Sequence, residues 1–568
     1  MLFPTIRFAI FFAVVMPASW LLMPLPSRYT RDRQDPNHPW IPIVALLALA
    51  AVLGPFAPWS GPTALSVVGW LAGLGLAGLA VARWLDLTGL TRWNVFMLVA
   101  SYVFYGNYDW HFVVLLAAST VVNQVLAVRV HRSADEKARR WLLAAGVVAN
   151  LGVLAWFKYK GFFAESASSI LEPLGLDFTP PVHTIIPPVG ISFFTFQALS
   201  YLIDTYRRKI SPSPLLDFAV YLSFFPHLVA GPIVRASEFL PQLRTPRESR
   251  SIDHGLAFWL IAVGLFKKVV VSSYLANAIV DPVFRIPSQH QAGDTLLGIY
   301  GYAIQIYCDF SGYTDMAIGL ALLLGFRFPQ NFDAPYTSAT LQEFWRRWHM
   351  TLSRWLRDYL YIPLGGSQRG SRRAYVNLFL TMLIGGLWHG AAWTFVVWGA
   401  LHGGYLAAER WIMGRPVVTE VPGAAEPAVT SDGGPVAAPN ALITTLVGVR
   451  ARYRALTPAA RLWLGRVLTF HVVCLGWVFF RAPTLSEAFD VLGRLFSLGT
   501  GTGINLMVVA TIAVFVATQF VPSDVVGRAQ AAFSRMAAWQ QGLALAGFLM
   551  FTSALSPTGV APFIYFAF

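Results

Sequence analysis

Ionisable side chains inside long apolar stretches are where chemistry is to be expected, because such groups are costly in a membrane and are usually paired or functional. Three stretches carry them. The first is 342–362, QEFWRRWHMTLSRWLRDYLYI. On a single helical wheel, at about 100° per residue, Arg346, Arg347, His349, Ser353, Arg354 and Arg357 fall on one side. Trp345, Trp348, Leu352, Trp355, Leu356 and Tyr359 fall on the other, with His349 at the seam. From Glu343 to Arg373 seven arginines stand against two acids. One reading is an interfacial amphipathic helix anchored by Trp and Arg. The functional reading adds an opening onto the bilayer, in which His349, Arg346, Arg357 and Trp345 hold an anionic, phosphate-bearing ligand.

The second stretch is 383–404, LIGGLWHGAAWTFVVWGALHGG. His389 stands among Gly386, Gly390, Ala391 and Ala392. A lone histidine in an apolar helix can be a satisfied core residue. Here the small neighbours leave room beside the ring for a substrate, and a buried imidazole stays neutral and able to accept a proton. His402 lies 13 residues on, about 220° around a continuous helix, and reads as structural. The third stretch is 305–315, QIYCDFSGYTD. Asp309, Ser311 and Asp315 either orient a histidine, bind substrate, or pair with nearby arginines.

Other chemistries are excluded by what the chain lacks. No glycine precedes a lysine, so there is no phosphate-binding P-loop. No G-x-S-x-G elbow, H-E-x-x-H or zinc-spaced Cys/His cluster is present, so no metal site is expected. Cys308 and Cys474 read as buried apolar residues.

The elements that must position these residues are membrane helices. Hydrophobic residues make up 56% of the 568 and charged residues 12%, too few charges to cover a soluble surface. The +14 net charge fits basic loops against anionic lipid. Nucleic-acid binding is not expected. Apolar stretches long enough to span lie near 4–24, 41–58, 62–82, 93–106, 110–130, 141–157, 183–205, 217–234, 255–280, 295–325, 375–400, 463–480, 504–521 and 541–566. Some fit two spans, giving 11–15 helices. The chain is an all-α polytopic membrane protein. Its divisions are an N-terminal helix plus an apolar insertion (1–90, insertion 27–90), a core (91–414), a Pro/Gly/Ala-rich flexible linker (415–440) and C-terminal helices (441–568).

Several segments resemble the membrane-bound O-acyltransferase (MBOAT) family, in particular its bacterial alginate O-acetyltransferase-like branch. They are DFSGYTDMAIGLALLLGFRFPQNFDAPY, EFWRRWHMTLSRWLRDYLYIPLGG and NLFLTMLIGGLWHGAAWTFVVWGALHG, with PPVGISFFTFQALSYLIDTYR, FFPHLVAGPIVR, GLFKKVVV, LGWVFFRA and the closing PFIYFAF. The likeness runs over about 90–568; the 27–90 insertion departs from it. The resemblance implies a ring of tilted helices around a buried tunnel. It also implies that His389, in LWHG, is the catalytic histidine, and that His349, in RRWH, is the second signature position.

By the same resemblance, an acyl thioester such as acetyl-CoA enters from the cytoplasmic side as a substrate, with no tightly bound cofactor. The acetyl group is used to O-acetylate an extracellular or cell-wall polysaccharide, through an extracytoplasmic SGNH-type partner or directly. The expected location is the inner or plasma membrane. Two rivals are transfer of another acyl group, such as D-alanine to teichoic acid, and a transporter. The closeness of the alginate-type motifs disfavours the first. No inverted repeat or matched pair of broken spans supports the second.

Overall fold

The computed structural model describes residues 3, 5–23, 89–175, 187–245, 247–248, 252–413, 455–497 and 505–557. Residues 27–88 of the apolar insertion, the 415–440 linker and the closing PFIYFAF lie outside them. The described residues form helices joined by turns, with no strand among them. Among the described residues, four helical segments are long and apolar enough to cross a bilayer: Trp110–Arg132, Glu136–Leu174, His254–Arg285 and Pro458–Arg481. Leu506–Thr518 and Ser523–Ser534 are apolar enough to cross only if counted together. The all-α polytopic expectation is borne out. The chain groups into two compact units, Met1–Asp281 with Ile304–Asn331 and Val521–Phe568, and Pro282–Ala303 with Phe332–Phe520.

In the first unit, helix starts are set by side-chain caps that satisfy otherwise orphaned backbone N–H groups. Asp109 accepts from the His111 N–H at 2.9 Å to start Trp110–Arg132. Asp135 accepts from Lys137 and Ala138 to start Glu136–Leu171. Lipid supplies no hydrogen bonds, so buried polar groups must find protein partners. Asn123 and Asn150 exchange amide bonds at 2.7 and 3.1 Å between these two helices. Tyr201 of Ile191–Tyr206 donates to Gln124 at 2.9 Å.

His254–Arg285 contains two π-helical stretches, Lys267–Ser272 and Ala276–Val280. The first carries Lys267 and Lys268 against the Ala292–Leu323 helix. A Cβ on Gly264 would lie 2.5 Å from the Gly312 carbonyl oxygen, so these backbones pack in near contact. There Lys267 pairs with Asp315 at 2.8 Å, and Lys268 pairs with Asp309, which also accepts from Ser272 at 3.3 Å. Of the alternatives left open for these aspartates, the contacts seen are ion pairs, with lysines in the place of arginines. Adjacent lysines on a π bulge neutralise them, where the close backbones suit their reach.

In the second unit, Pro458–Arg481 opens with Thr457 accepting from the Ala460 N–H and with Pro458 at its first position, where the missing N–H costs nothing. Leu485–Arg494 follows, held by reciprocal bonds between Thr484 and Glu487, a capping box.

Candidate active site

A helical hairpin positions His389. Helix Ser371–His389 ends on it, and Gly390 follows in extended backbone (φ −156°, ψ 153°). A Cβ on Gly390 would overlap the Phe395 ring, so the turn into Trp393–Met413 closes only around a residue without a side chain. Along the hairpin the arms touch through glycines, as small residues allow in membrane helices. A Cβ on Gly386 would strike the Phe395 carbonyl. One on Gly399 would lie 2.6 Å from the Met382 carbonyl oxygen, and one on Gly403 would lie 2.9 Å from Phe379 Cα. The expectation of one continuous helix through 383–404 is therefore corrected. The chain reverses at 390–392, and His402 sits on the second arm.

The His389 imidazole is buried in an aromatic enclosure. Ring centroids of Trp388, Trp398 and Phe480 lie 4.9, 5.1 and 5.3 Å away, with planes at 75°, 82° and 70°. These edge-to-face approaches are the favoured aromatic geometry. Trp398 continues to His402 at 4.7 Å and to Trp345 at 5.6 Å, and Trp345 meets His402 at 5.3 Å. His402 thus belongs to the same cluster as His389. An offset of about 220° holds only along a continuous helix, and the chain turns between the two histidines. Trp477 stacks on Trp398 at 6.1 Å and 19°.

The 342–362 stretch is not one helix either. Leu341–Arg347 ends, the chain kinks at Trp348 and His349, and Met350–Leu356 runs into a π stretch, Arg357–Tyr361. His349 holds left-handed backbone (φ 43°, ψ 53°), which is uncommon for a residue with a side chain. Its carbonyl accepts from the Ser353 N–H at 3.0 Å. This break replaces the single-wheel division into an arginine face and a tryptophan face. The His349 ring is fully buried, 6.3 Å from Trp388 and 6.5 Å from Phe332. Burial pushes its pKa down to about 3, so it is neutral at physiological pH. His349 and His389 both meet the Trp388 indole.

Among the other residues singled out in the sequence, Trp345 joins the cluster. Arg346 and Arg357 are exposed, and Arg357 Nε donates to Asp358 at 2.7 Å. Asp309 and Ser311 are buried in the first unit, whereas the histidines belong to the second. Sequence reasoning missed Trp398, Trp477 and Phe480. The legible signal was LGWVFFRA itself, whose glycine at 476 lets His402 approach that helix.

The arrangement offers a buried imidazole at a helix end within apolar, aromatic walls, which suits proton transfer with water excluded. Residues 153–416 match the membrane-bound O-acyltransferase family. The chain is 40% identical to the probable alginate O-acetylase AlgI of Pseudomonas aeruginosa, covering 73% of this chain and 72% of that protein. It is 37% identical to the protein of the same name from Azotobacter vinelandii, over 87% and 93%. It is 35% identical to the peptidoglycan O-acetyltransferase of Helicobacter pylori, over 71% and 74%. With this identity sustained over most of both chains, the protein belongs to the membrane-bound O-acyltransferase family and is an O-acyltransferase of the membrane.

Proposed function

We propose that this enzyme takes an acetyl group from a cytoplasmic thioester, acetyl-CoA, for O-acetylation of an extracellular or cell-wall polysaccharide, with His389 as the general base. The observation that carries the reading is the placement of His389, buried at a helix end and walled by Trp388, Trp398 and Phe480. The similarity to alginate and peptidoglycan O-acetylating proteins supports the acetyl group and the polymer. An SGNH-type partner outside the membrane takes the acetyl group onward, as the family resemblance implies, and a cytoplasmic donor places the enzyme in the inner or plasma membrane.

His389 accepts the proton of the attacking hydroxyl as its oxygen bonds to the thioester carbonyl carbon. The carbonyl electron pair moves onto oxygen. As it returns, the carbon–sulfur bond breaks and the protonated imidazole gives its proton to the departing thiolate. Ester and free thiol are the products, and no acyl-enzyme is needed. His349, across the Trp388 indole, orients the acceptor hydroxyl. Exposed Arg346 and Arg357 bind the donor's phosphates, and Trp345 packs beside them.

The test uses the full-length protein in proteoliposomes with acetyl-CoA and a hydroxyl acceptor, measuring acceptor-dependent release of free CoA. A positioned base contributes about 10²–10⁴-fold, so His389→Ala should lose turnover by that factor while remaining folded. Parental turnover in His389→Ala would remove His389 as the base.

A further inference from the structure

Glu409 takes no part in the steps above, yet it ties together the two segments that carry His349 and His389. It lies on the second arm of the hairpin, Trp393–Met413, and is 9% exposed. A carboxylate withdrawn from water is costly unless it is hydrogen-bonded. Here Oε2 accepts from the backbone N–H of Leu341 at 2.9 Å and, more loosely, from that of Gln342 at 3.4 Å. Those N–H groups open the helix Leu341–Arg347, whose first turn offers them no intrahelical partner. The Thr340 hydroxyl oxygen accepts the next one, from Glu343, at 3.0 Å. The helix start is thus capped jointly, by its own threonine and by a carboxylate from the hairpin.

The contact fixes the register of one segment along the other. Glu409 stands seven residues after His402 and eleven after Trp398, about 20° short of two turns and about 20° beyond three. All three therefore share one face of the arm. Leu341 meets that face at Glu409, and Trp345, one turn on, meets it at His402 and Trp398, with ring centroids 5.3 and 5.6 Å away. His349 follows at the kink, beside the Trp388 indole that His389 also meets. Apolar packing is non-directional, whereas hydrogen bonds weaken steeply off their geometry. The polar contact therefore sets the register that the rings follow. Glu409 itself lies roughly 24 Å along the arm from Trp393, at 1.5 Å per residue, and acts at a distance from the reacting atoms.

Resting on the acyl-transfer reading above, we propose that Glu409 is a positioning residue, which sets where His349 sits and so how the acceptor hydroxyl is presented to His389. A misplacement of about 1 Å caused far from the chemistry can cost about 10²-fold.

The experiment measures CoA release by Glu409→Ala, His349→Asn and His389→Ala in proteoliposomes, with and without the hydroxyl acceptor. Glu409→Ala should lower acceptor-dependent kcat by about 10–10²-fold, with KM for acetyl-CoA within about threefold. Acceptor-free release, in which His389 serves water and no acceptor is oriented, should stay near the parental rate. His349→Asn should show the same split, and His389→Ala should lose both activities. A purely structural Glu409 would lower both releases together, and that result overturns this inference. Parental transfer in Glu409→Ala or in His349→Asn, beside an inactive His389→Ala, also overturns it and leaves the acyl-transfer reading standing. Parental activity in His389→Ala overturns both. Should Glu409→Ala fail to fold, Glu409→Asp decides, since it keeps the charge on a side chain one carbon shorter. A selective drop in transfer then supports the proposal, and parental transfer or an equal fall in both releases overturns it.

Discussion

The imidazole of His389 meets the Phe480 ring edge-on, with centroids 5.3 Å apart and planes at 70°. Phe480 also packs on Trp398 at 5.5 Å and Phe395 at 5.0 Å, so one phenyl ring braces both the histidine and the turn that presents it. In the proposed reaction the thioester donor is also open to attack by water, and an apolar wall beside His389 would limit that side reaction.

Phe480→Ala should therefore change the fate of the donor, not only the rate. Removing a core phenylalanine costs about 3–5 kcal/mol, so Phe480→Leu, which keeps most of the volume, is the cleaner variant. CoA release without acceptor should rise relative to acceptor-dependent transfer in both. An unaltered ratio would mean that Phe480 supports the fold and does not guard the site.

The hairpin glycines give a prediction with an internal control. A Cβ on Gly386 meets the Phe395 carbonyl, which is backbone and cannot swing aside, whereas nothing lies within 4 Å of one on Gly404. Gly386→Ala should lose activity and about 1–3 kcal/mol of stability through overpacking. Gly404→Ala, in the interior of Trp393–Met413, should be neutral or slightly stabilising through helix propensity. Thermal midpoints in detergent read both. Equal midpoints would show that the arms separate without cost.

Much of the fold is legible from the 20-residue apolar scale, because a bilayer leaves the backbone little choice but helix. Stretches 110–130, 141–157, 255–280 and 463–480 each became part of a spanning segment. What was illegible is where a helix stops inside an apolar stretch. Gly390-Ala391-Ala392 carries no proline or charge, and its turn is dictated by the Phe395 ring packing onto Gly390, a contact fixed only by tertiary structure. His349 poses the same problem, since no local signal announces left-handed backbone at a histidine between tryptophan and methionine. Both errors came from turning a helical wheel across a break. The interest of His389 and His349 is legible from residue type, which needs no wheel, while the neighbourhood of His402 and His389 depends on the turn between them.

Acid should weaken the protein in a way that His349 can report. Burial holds its folded pKa near 3, while an unfolded histidine titrates near 6.5. Between those values the unfolded chain binds more protons. The stability due to a neutral His349 is thus complete above about pH 6.5 and declines as pH falls toward 3, by up to about 1.4 kcal/mol per pH unit. His349→Asn removes this contribution and keeps a residue that tolerates left-handed backbone. Its loss of thermal midpoint between pH 7 and pH 5 should be smaller than the parental loss; an equal loss would exclude His349 as a source of acid sensitivity.

Arg346 and Arg357 separate donor binding from lipid anchoring. Both are exposed, and Arg357 already has Asp358 within 2.7 Å, so the phosphates of acetyl-CoA would compete with a neighbouring carboxylate there. Arg346 is the stronger candidate for that reason. A charge-assisted hydrogen bond is worth about 1.5–3 kcal/mol, equivalent to roughly a tenfold to hundredfold change in affinity. A contact made equally in the ground and transition states appears in KM alone. Arg346→Glu should then raise KM for acetyl-CoA by about that factor at constant kcat, and Arg357→Glu should raise it less. A pure anchoring role predicts a different pattern, in which KM stays fixed while activity comes to depend on the fraction of anionic lipid in the vesicles. Titrating acetyl-CoA at two lipid compositions distinguishes the two outcomes. A KM unmoved in both variants would place the donor's phosphates away from this kinked segment.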